Sequence, residues 1–353
     1  MGRSRNASRG RASLPVGGSA RAEGGQDFWG GSSGRWAGER LLQALDEGRD
    51  LSTSELRALG TLRPYEWTQF DEVVVAETVV RLRAVADLIA HGLVKPVPNG
   101  LGRTVLQYDK QSDLGAAQVS LDGLAKSGNE RIEWDQGSIP LVITHKDFFL
   151  NLRTLAASRN APGEALDMTQ ARLAGRVVAE KVESMLLTGG PTFAGAPIYG
   201  YTTQPSRNTG AFGTNGAWSA AAKTGNNILD DVLTMISALH GDRFFGPYAI
   251  YVPTAIGVKL ENDFKANSDL SIRQRLMQVD SIVSIQTCDQ LTADNVLMVQ
   301  LTEDVTSLVE GEPPQTIQWD IEGGMRINFK AMCIQVPLVR ATKAGRSGIY
   351  HMS

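Results

Sequence analysis

At 353 residues, 42% hydrophobic and 21% charged, the chain can bury one large core or two moderate ones. A formal net charge of −3 excludes a nucleic-acid binder acting through its whole surface, because displacing counterions from phosphates needs an excess of Lys and Arg; any such contact is local. Cys288 and Cys333 lie far apart with no Cys or His at ligand spacing, which excludes a disulfide framework and a zinc site and predicts buried, reduced thiols.

The chain opens on a Gly-, Ser- and Arg-rich tail carrying Arg3, Arg5, Arg9, Arg11 and Arg21. It has no apolar leader segment, and no later window is apolar for long enough to span a bilayer. The tail reads first as a solvated segment, with packaged nucleic acid or a neighbouring subunit as its candidate charged partners. Ser52 and Glu55 form a capping-box pattern ahead of Leu56 and Leu59, so residues 1–70 read as an arm rather than a domain. Between Asp71 and His91, the spacing of Val75, Val79, Leu82, Ala86 and Ile89 predicts a helix with those residues on one face, closed by Gly92.

From Leu93 to Pro140, two β-like runs flank a polar middle. The outgoing run is Thr104–Asp109 after an Asn99-Gly100 turn signal; the return run is Glu130–Asp135, ahead of Pro140–Thr144. Gln111 to Asn129 is too polar and too small in its side chains to bury itself. A long two-stranded ribbon is marginal alone in water, so this arm is expected to rest on something outside its own domain, and another copy of the chain is the candidate.

Asp167 and Gln170 start a strongly helical stretch with Leu173, Val177, Val178, Val182, Met185 and Leu186 on one side, stopped by Gly189-Gly190-Pro191. About twenty residues make a rod on the order of 30 Å. A Gly-, Thr- and Asn-rich connector, Tyr199 to Trp218, leads to an amphipathic helix with Ile228, Leu229, Val232, Leu233, Ile236 and Leu239, closed by Gly241. Ala249–Val252 reads as a buried strand, Pro253-Thr254 opens another helix, and Ser281–Ile285 and Val296–Leu301 read as strands. A hairpin follows: Ile317, Trp319 and Ile321 alternate, Gly323-Gly324 turns, and Met325, Ile327 and Phe329 alternate back, continuing to Val336.

Chemistry-bearing patterns are poor. Gly30-Gly31-Ser32-Ser33-Gly34 has nucleophile-elbow spacing but sits in a flexible stretch with no strand before it and no helix after it. His91 and His240 each precede a Gly at a predicted helix end, where capping accounts for them. His145 and His351 lack an acid or Cys partner at useful spacing. Asp230-Asp231 and Glu303-Asp304 could hint at a divalent cation, yet adjacent side chains diverge on a helix or a strand, so solvated surface is the expectation. Walker A, GxGxxG and HExxH patterns are absent, and Asn6-Ala7-Ser8 lacks the secretory context its glycosylation needs. No catalytic residue, cofactor or metal is expected.

The order of parts, with Ile132-Glu133-Trp134 leading through Pro140-Leu141-Val142 into Phe148-Phe149, the helix from Asp167 to Leu187, and Met325 to Val339 ending in Gly348-Ile349-Tyr350, resembles the major capsid proteins of tailed bacteriophages. Their Hong Kong 97-type capsid fold is shared with the encapsulin shells of bacteria. The resemblance implies an α+β protein with an N-terminal arm (1–70), a helix (71–92), an extended β-hairpin loop (93–140), a peripheral domain (141–194 and 312–353) built on a spine helix (167–187), and an axial domain (195–311). It further implies self-assembly of hexamers and pentamers into an icosahedral head enclosing double-stranded DNA, with each extended loop across a neighbour. Portal, scaffolding and decoration proteins are implied partners, and the virion, assembled in host bacterial cytoplasm, the implied location. Tyr108, Ile132 and Trp134 are the candidate arm-to-neighbour contacts, since aromatic residues dominate such interfaces. Neither a cleaved N-terminal scaffolding region nor Lys-to-Asn crosslinks through Lys110 or Lys126 are expected. Two alternatives stay open: an encapsulin-type compartment enclosing cargo enzymes, and an unfamiliar α+β enzyme with the Tyr199–Trp218 loop as a substrate lid.

Overall fold

The computed structural model describes residues 72–74, 76, 82–112, 117, 119, 121, 131–153, 169–193, 195–265, 269–292, 294–321 and 326–353. Contacts divide the chain into two units, Met1–Leu59 and Gly60–Ser353, and every described residue belongs to the second. The arginines of the tail, the glycine-rich serine motif, the Ser52 capping box, Lys126 and the Gly323-Gly324 turn lie outside the described residues.

The first described helix of any length, α1, spans Ala84–Ala90. Leu82 and Arg83 are not helical, so the helical phase starts afresh at Ala84 and the buried face is Ala84, Val85 and Leu88. Ile89, expected on the buried side, is exposed for that reason. Gly92 does close the helix: at φ +68° its N–H reaches Ile89 O (3.0 Å), and the Leu93 N–H reaches Leu88 O (2.8 Å), the paired bonds of a Schellman ending. The His91 ring also contacts the Asp87 carbonyl at 2.8 Å, as its position before that glycine predicts.

Four strands form one sheet. They are β1 (Val94–Pro96), β4 (Thr144–Asn151), β9 (Thr306–Ile321) and β10 (Arg326–Val339), in the order β1-β9-β10-β4. β1 runs parallel to β9; the other pairs are antiparallel. The ladder between β9 and β10 slips twice on the β9 side, around Pro313-Pro314 and at Gly311, where prolines and a glycine fit because regular pairing is already broken. The long helix α2 is Thr169–Thr188. It lays Ala171, Ala174, Gly175, Val178, Val182 and Leu186 toward the core shared with Leu150, Ile327 and Phe329, and Phe329 stacks on Phe148 at 5.2 Å. Small residues on this stripe let the helix approach closely. Leu173 and Val177, expected on the buried side, are exposed.

A second sheet takes β5 (Asn208–Gly210), β6 (Tyr248–Pro253), β7 (Ile282–Cys288), β8 (Val296–Gln300) and β11 (Ile349–Met352), in the order β5-β11-β8-β6-β7. Strand β6 is buried along its whole length, which is why it reads as an uninterrupted apolar run. Helix α3 (Gly225–Gly241), capped by the Thr224 hydroxyl, buries Ile228, Val232, Ile236 and Leu239 as its period predicts, together with Met235, while Leu229 is half-buried and Leu233, expected on the same face, is exposed. Helices α4 (Thr254–Lys259) and α5 (Ile272–Met277) complete this part, α5 beginning with a Ser271–Gln274 capping box. The Tyr199–Trp218 connector is anchored: β5 pairs with β11, and Tyr201 and Trp218 are fully buried. The final strand leaves the hairpin it was grouped with and joins this second sheet.

That last strand carries a titratable clamp. His351 Nε2 lies 2.7 Å from Asn295 Oδ1, and Nδ1 accepts from Arg207 Nε at 3.3 Å, an arrangement only the neutral ring satisfies. Burial, then Arg207, hold its pKa below the usual 6.5. The unfolded chain therefore takes up the proton first as pH falls through about 6.5, so this contribution is complete above that value and declines until the folded-state pKa is reached. Melting temperature is expected to fall between pH 7.5 and 5.5, and His351→Gln to flatten that part of the profile; an unchanged slope would contradict the clamp.

Candidate assembly surface

The arm is built from β2 (Val105–Gln111) and β3 (Trp134–Pro140), an antiparallel pair from Val105↔Pro140 out to Gln111↔Trp134. The return strand starts four residues later than its composition indicated, because the outgoing strand pairs with the segment entering Pro140. Among the described residues, β2 and β3 join no other sheet. Their root is held by packing instead. Ile139, Leu141 and Val97 share an apolar cluster with Ile198, Val309, Ile334, Val336 and Leu338, and Leu106 and Tyr108 pack against it. The alternation of β10 produces this arrangement: Ile327, Phe329 and Ala331 serve the core under α2, while Ile334, Val336 and Leu338 point the other way, under the arm root.

Backbone contact tightens the root further. A Cβ on Gly100 would lie 2.4 Å from the Gly311 Cα, closer than real atoms come. Gly100→Ala is expected to destabilise by about 1–3 kcal/mol through overpacking. Urea unfolding checks this, and unchanged stability would show that the root relaxes freely.

The three candidate contact residues divide. Trp134 is 63% exposed and Ile132 is exposed near it, both beyond the packed root. The Tyr108 ring instead lies on its own chain, over Gly137 and 5.9 Å from the Arg340 guanidinium. Behind it a polar cleft of about 280 Å³ separates Tyr108, Lys110 and Asp135 on the arm from Tyr199, Thr342 and Lys343 on the body. Lys343 bridges that cleft to Glu133, lowering the Glu133 pKa. The far side of the first sheet shows a complementary feature. Phe149, Asn328 and Trp319 form one cross-strand row and Asp147, Lys330 and Ile317 the next. Phe149 and Ile317 are exposed, with Arg326 stacked 3.8 Å over Phe149. The two apolar stripes of the closing hairpin thus face opposite sides, one to the core and one outward.

Two carboxylates that join separate elements escaped the sequence, Glu183 buried and Asp87 half-buried. Glu183, midway along the apolar stripe of α2, accepts the Ala84 and Val85 N–H groups at 2.7 and 3.2 Å and so caps α1 from another element. Burial raises its pKa against those bonds. From α1, Asp87 reaches the second sheet, accepting from the Tyr251 and Ser284 hydroxyls at 3.2 and 3.0 Å. Helix α1 therefore ties α2 to β6 and β7. Asp231, expected on solvated surface, is also buried: it pairs with Lys223 at 2.6 Å, accepts from Trp218 Nε1 at 2.7 Å and from the Gly213 N–H at 3.2 Å. Its neighbour Asp230 is exposed, and Glu303 pairs at the surface with Lys95. Both cysteines are free and buried, and burial pushes the Cys333 thiol up to about 12, so neither is poised as a nucleophile. Among the described residues no group of three or more His, Cys, Asp or Glu could hold a metal, and no helix is long and apolar enough to cross a membrane.

Comparison with solved structures defines the class. The chain is similar to the protein of the virus-like particle from Pyrococcus furiosus (14% identity, 82% of this chain and 100% of that one, TM-score 0.59) and to the capsid of Myoviridae phage XM1 (12%, 75% and 90%, TM-score 0.56). It is likewise similar to the capsid of an empty GTA particle (14%, 77% and 90%, TM-score 0.52). The architecture is the Hong Kong 97-type capsid fold, a mixed α+β fold. By sequence, residues 58–352 match a family of unknown function, DUF6260, and the chain belongs to that family. No curated protein matches it.

Proposed function

We propose that this protein is the major capsid protein of a tailed bacteriophage, assembling as hexamers and pentamers into an icosahedral head around double-stranded DNA. The observation that carries the reading is the arm: a ribbon outside both sheets, packed at its root and presenting Trp134 and Ile132 beyond it. An exposed aromatic of this size, on a two-stranded ribbon that is marginal alone, fits a contact completed by a sister molecule. The two outward rows of the first sheet, with Phe149 and Trp319 in one and Ile317 in the other between charged and polar neighbours, offer a mixed surface whose aromatic and apolar groups a permanent assembly can cover.

The residue blocks 1–70, 71–92, 93–140, 141–194 with 312–353, and 195–311 take the roles of N-terminal arm, leading helix, extended loop, peripheral domain and axial domain, except that β11 at the end of the 312–353 block completes the sheet of the axial block. The role is structural, without catalysis. DNA contact would be non-specific and confined to the inner face, with Arg3 to Arg21 as one source of charge; portal, scaffolding and decoration proteins would be the other partners, in a particle assembled in the host bacterial cytoplasm. Likeness to a virus-like particle as well as to phage capsids favours a second reading, an encapsulin-type compartment. Electron microscopy and content analysis of purified particles test both: genome with portal and tail supports the phage head, enclosed enzyme supports the compartment, and a protein that never forms particles refutes both.

A further inference from the structure

We propose that the arm is a strap with two attachments of unequal strength, and that the weaker one, the Lys343–Glu133 ion pair, is a latch that opens when a sister subunit takes up the arm. The proposal rests on the shell reading above.

The strong attachment is the root, where Ile139 and Leu141 are buried in the second apolar cluster and Gly100 meets the Gly311 backbone. Farther out, among the described residues, β2 and β3 share no ladder with either sheet, and the polar cleft lies between them and the body. Lys343 and Glu133 close that cleft although 210 residues separate them. Each half of the latch is held locally. Glu133 sits on a rung in which its N–H donates to Ser112 Oγ and its carbonyl accepts the Ser112 N–H, both at 3.0 Å. Lys343 sits in a tight turn closed by Gly345 N–H to Thr342 O and Thr342 N–H to Arg346 O, both at 2.9 Å. The gap between two such preformed halves is the adjustable part.

The latch is weak because it is open to water. The two side chains are 36% and 70% exposed, so solvent and salt screen their attraction. Trp134 adjoins Glu133, so seating Trp134 on a neighbour would pull directly on the pair. Burial of a single aromatic anchor outweighs the opening of a screened ion pair, which sets the direction of the exchange. An arm that yields at the latch but not at the root could meet neighbours at the differing angles of five- and sixfold rings.

Hydrogen exchange on the full chain before assembly tests the latch by itself. Lys343→Glu is expected to speed exchange at Lys110, Gln111 and Trp134 by roughly two- to fivefold at low salt while Leu106 and Ile139 stay unchanged, with the wild type approaching the variant as salt is raised. Equal rates at low salt would overturn the latch. The same variant then tests its consequence: with the latch already open, Lys343→Glu protein should form particles by light scattering at a lower concentration than wild type at low salt, the gap closing as salt is raised. An equal or higher threshold for the variant overturns the proposal. Assembly by neither protein would count against the shell reading, and the exchange result would still decide the latch.

Discussion

Replacing Asp231 by alanine should lower stability by on the order of 3–5 kcal/mol, because it strands a buried charge. The Lys223 side chain is 0% exposed and its ammonium would be left without its only carboxylate among the described residues, while the fully buried Trp218 would be left without the acceptor of its indole N–H. The Lys223 ammonium would retain only the Thr214 carbonyl at 3.0 Å. Removing both charges with Lys223→Met and Asp231→Leu is expected to cost much less than the single change, since the penalty is for an unpaired buried ion and not for a missing attraction. Urea unfolding of the three proteins checks this. A single variant as stable as wild type would mean that water reaches the pair.

Trp134→Ala with Ile132→Ala should leave folding intact and disable assembly. Both side chains lie beyond the arm root and contribute little to the subunit's own core. An aromatic anchor at an interface is typically worth about 2 kcal/mol or more on truncation, so loss of Trp134 alone should raise the concentration needed for assembly by roughly 30-fold or more, with loss of Ile132 adding a smaller increase. Tyr108→Ala supplies the contrast: its ring packs on its own chain, so this change should lower the melting temperature first. If the Trp134 and Ile132 pair assembled at the wild-type concentration, the arm would anchor through other residues.

Much of the fold was legible because periodicity reports it directly. The 3.6-residue spacing from Ile228 to Leu239, the continuous apolar run of β6 and the alternation of Ile327 and Phe329 each correspond to burial on the expected side. What periodicity cannot report is which apolar surface is covered within the subunit. Leu173, Val177, Leu233, Phe149 and Ile317 carry the same pattern as core residues and are exposed, since a side chain selected to meet a neighbour has the same chemistry as one selected to meet its own core. Buried charges failed for a related reason. Glu183 is satisfied by N–H groups 98 and 99 residues away, and Asp231 by Lys223 and Trp218 across a turn-rich connector, none of which a local spacing reveals. The one local hint was a carboxylate inside an apolar helical stripe. Lys343 was silent for the same cause, its partner being settled only by the path of the arm.

Electron microscopy of the purified full chain, over a range of concentration and salt, tests the central claim most directly. Closed icosahedral particles, with the arm density of one molecule lying on the next, are the predicted result. A protein that stays a monomer or small oligomer throughout, with Trp134 covered by its own body, would contradict the account.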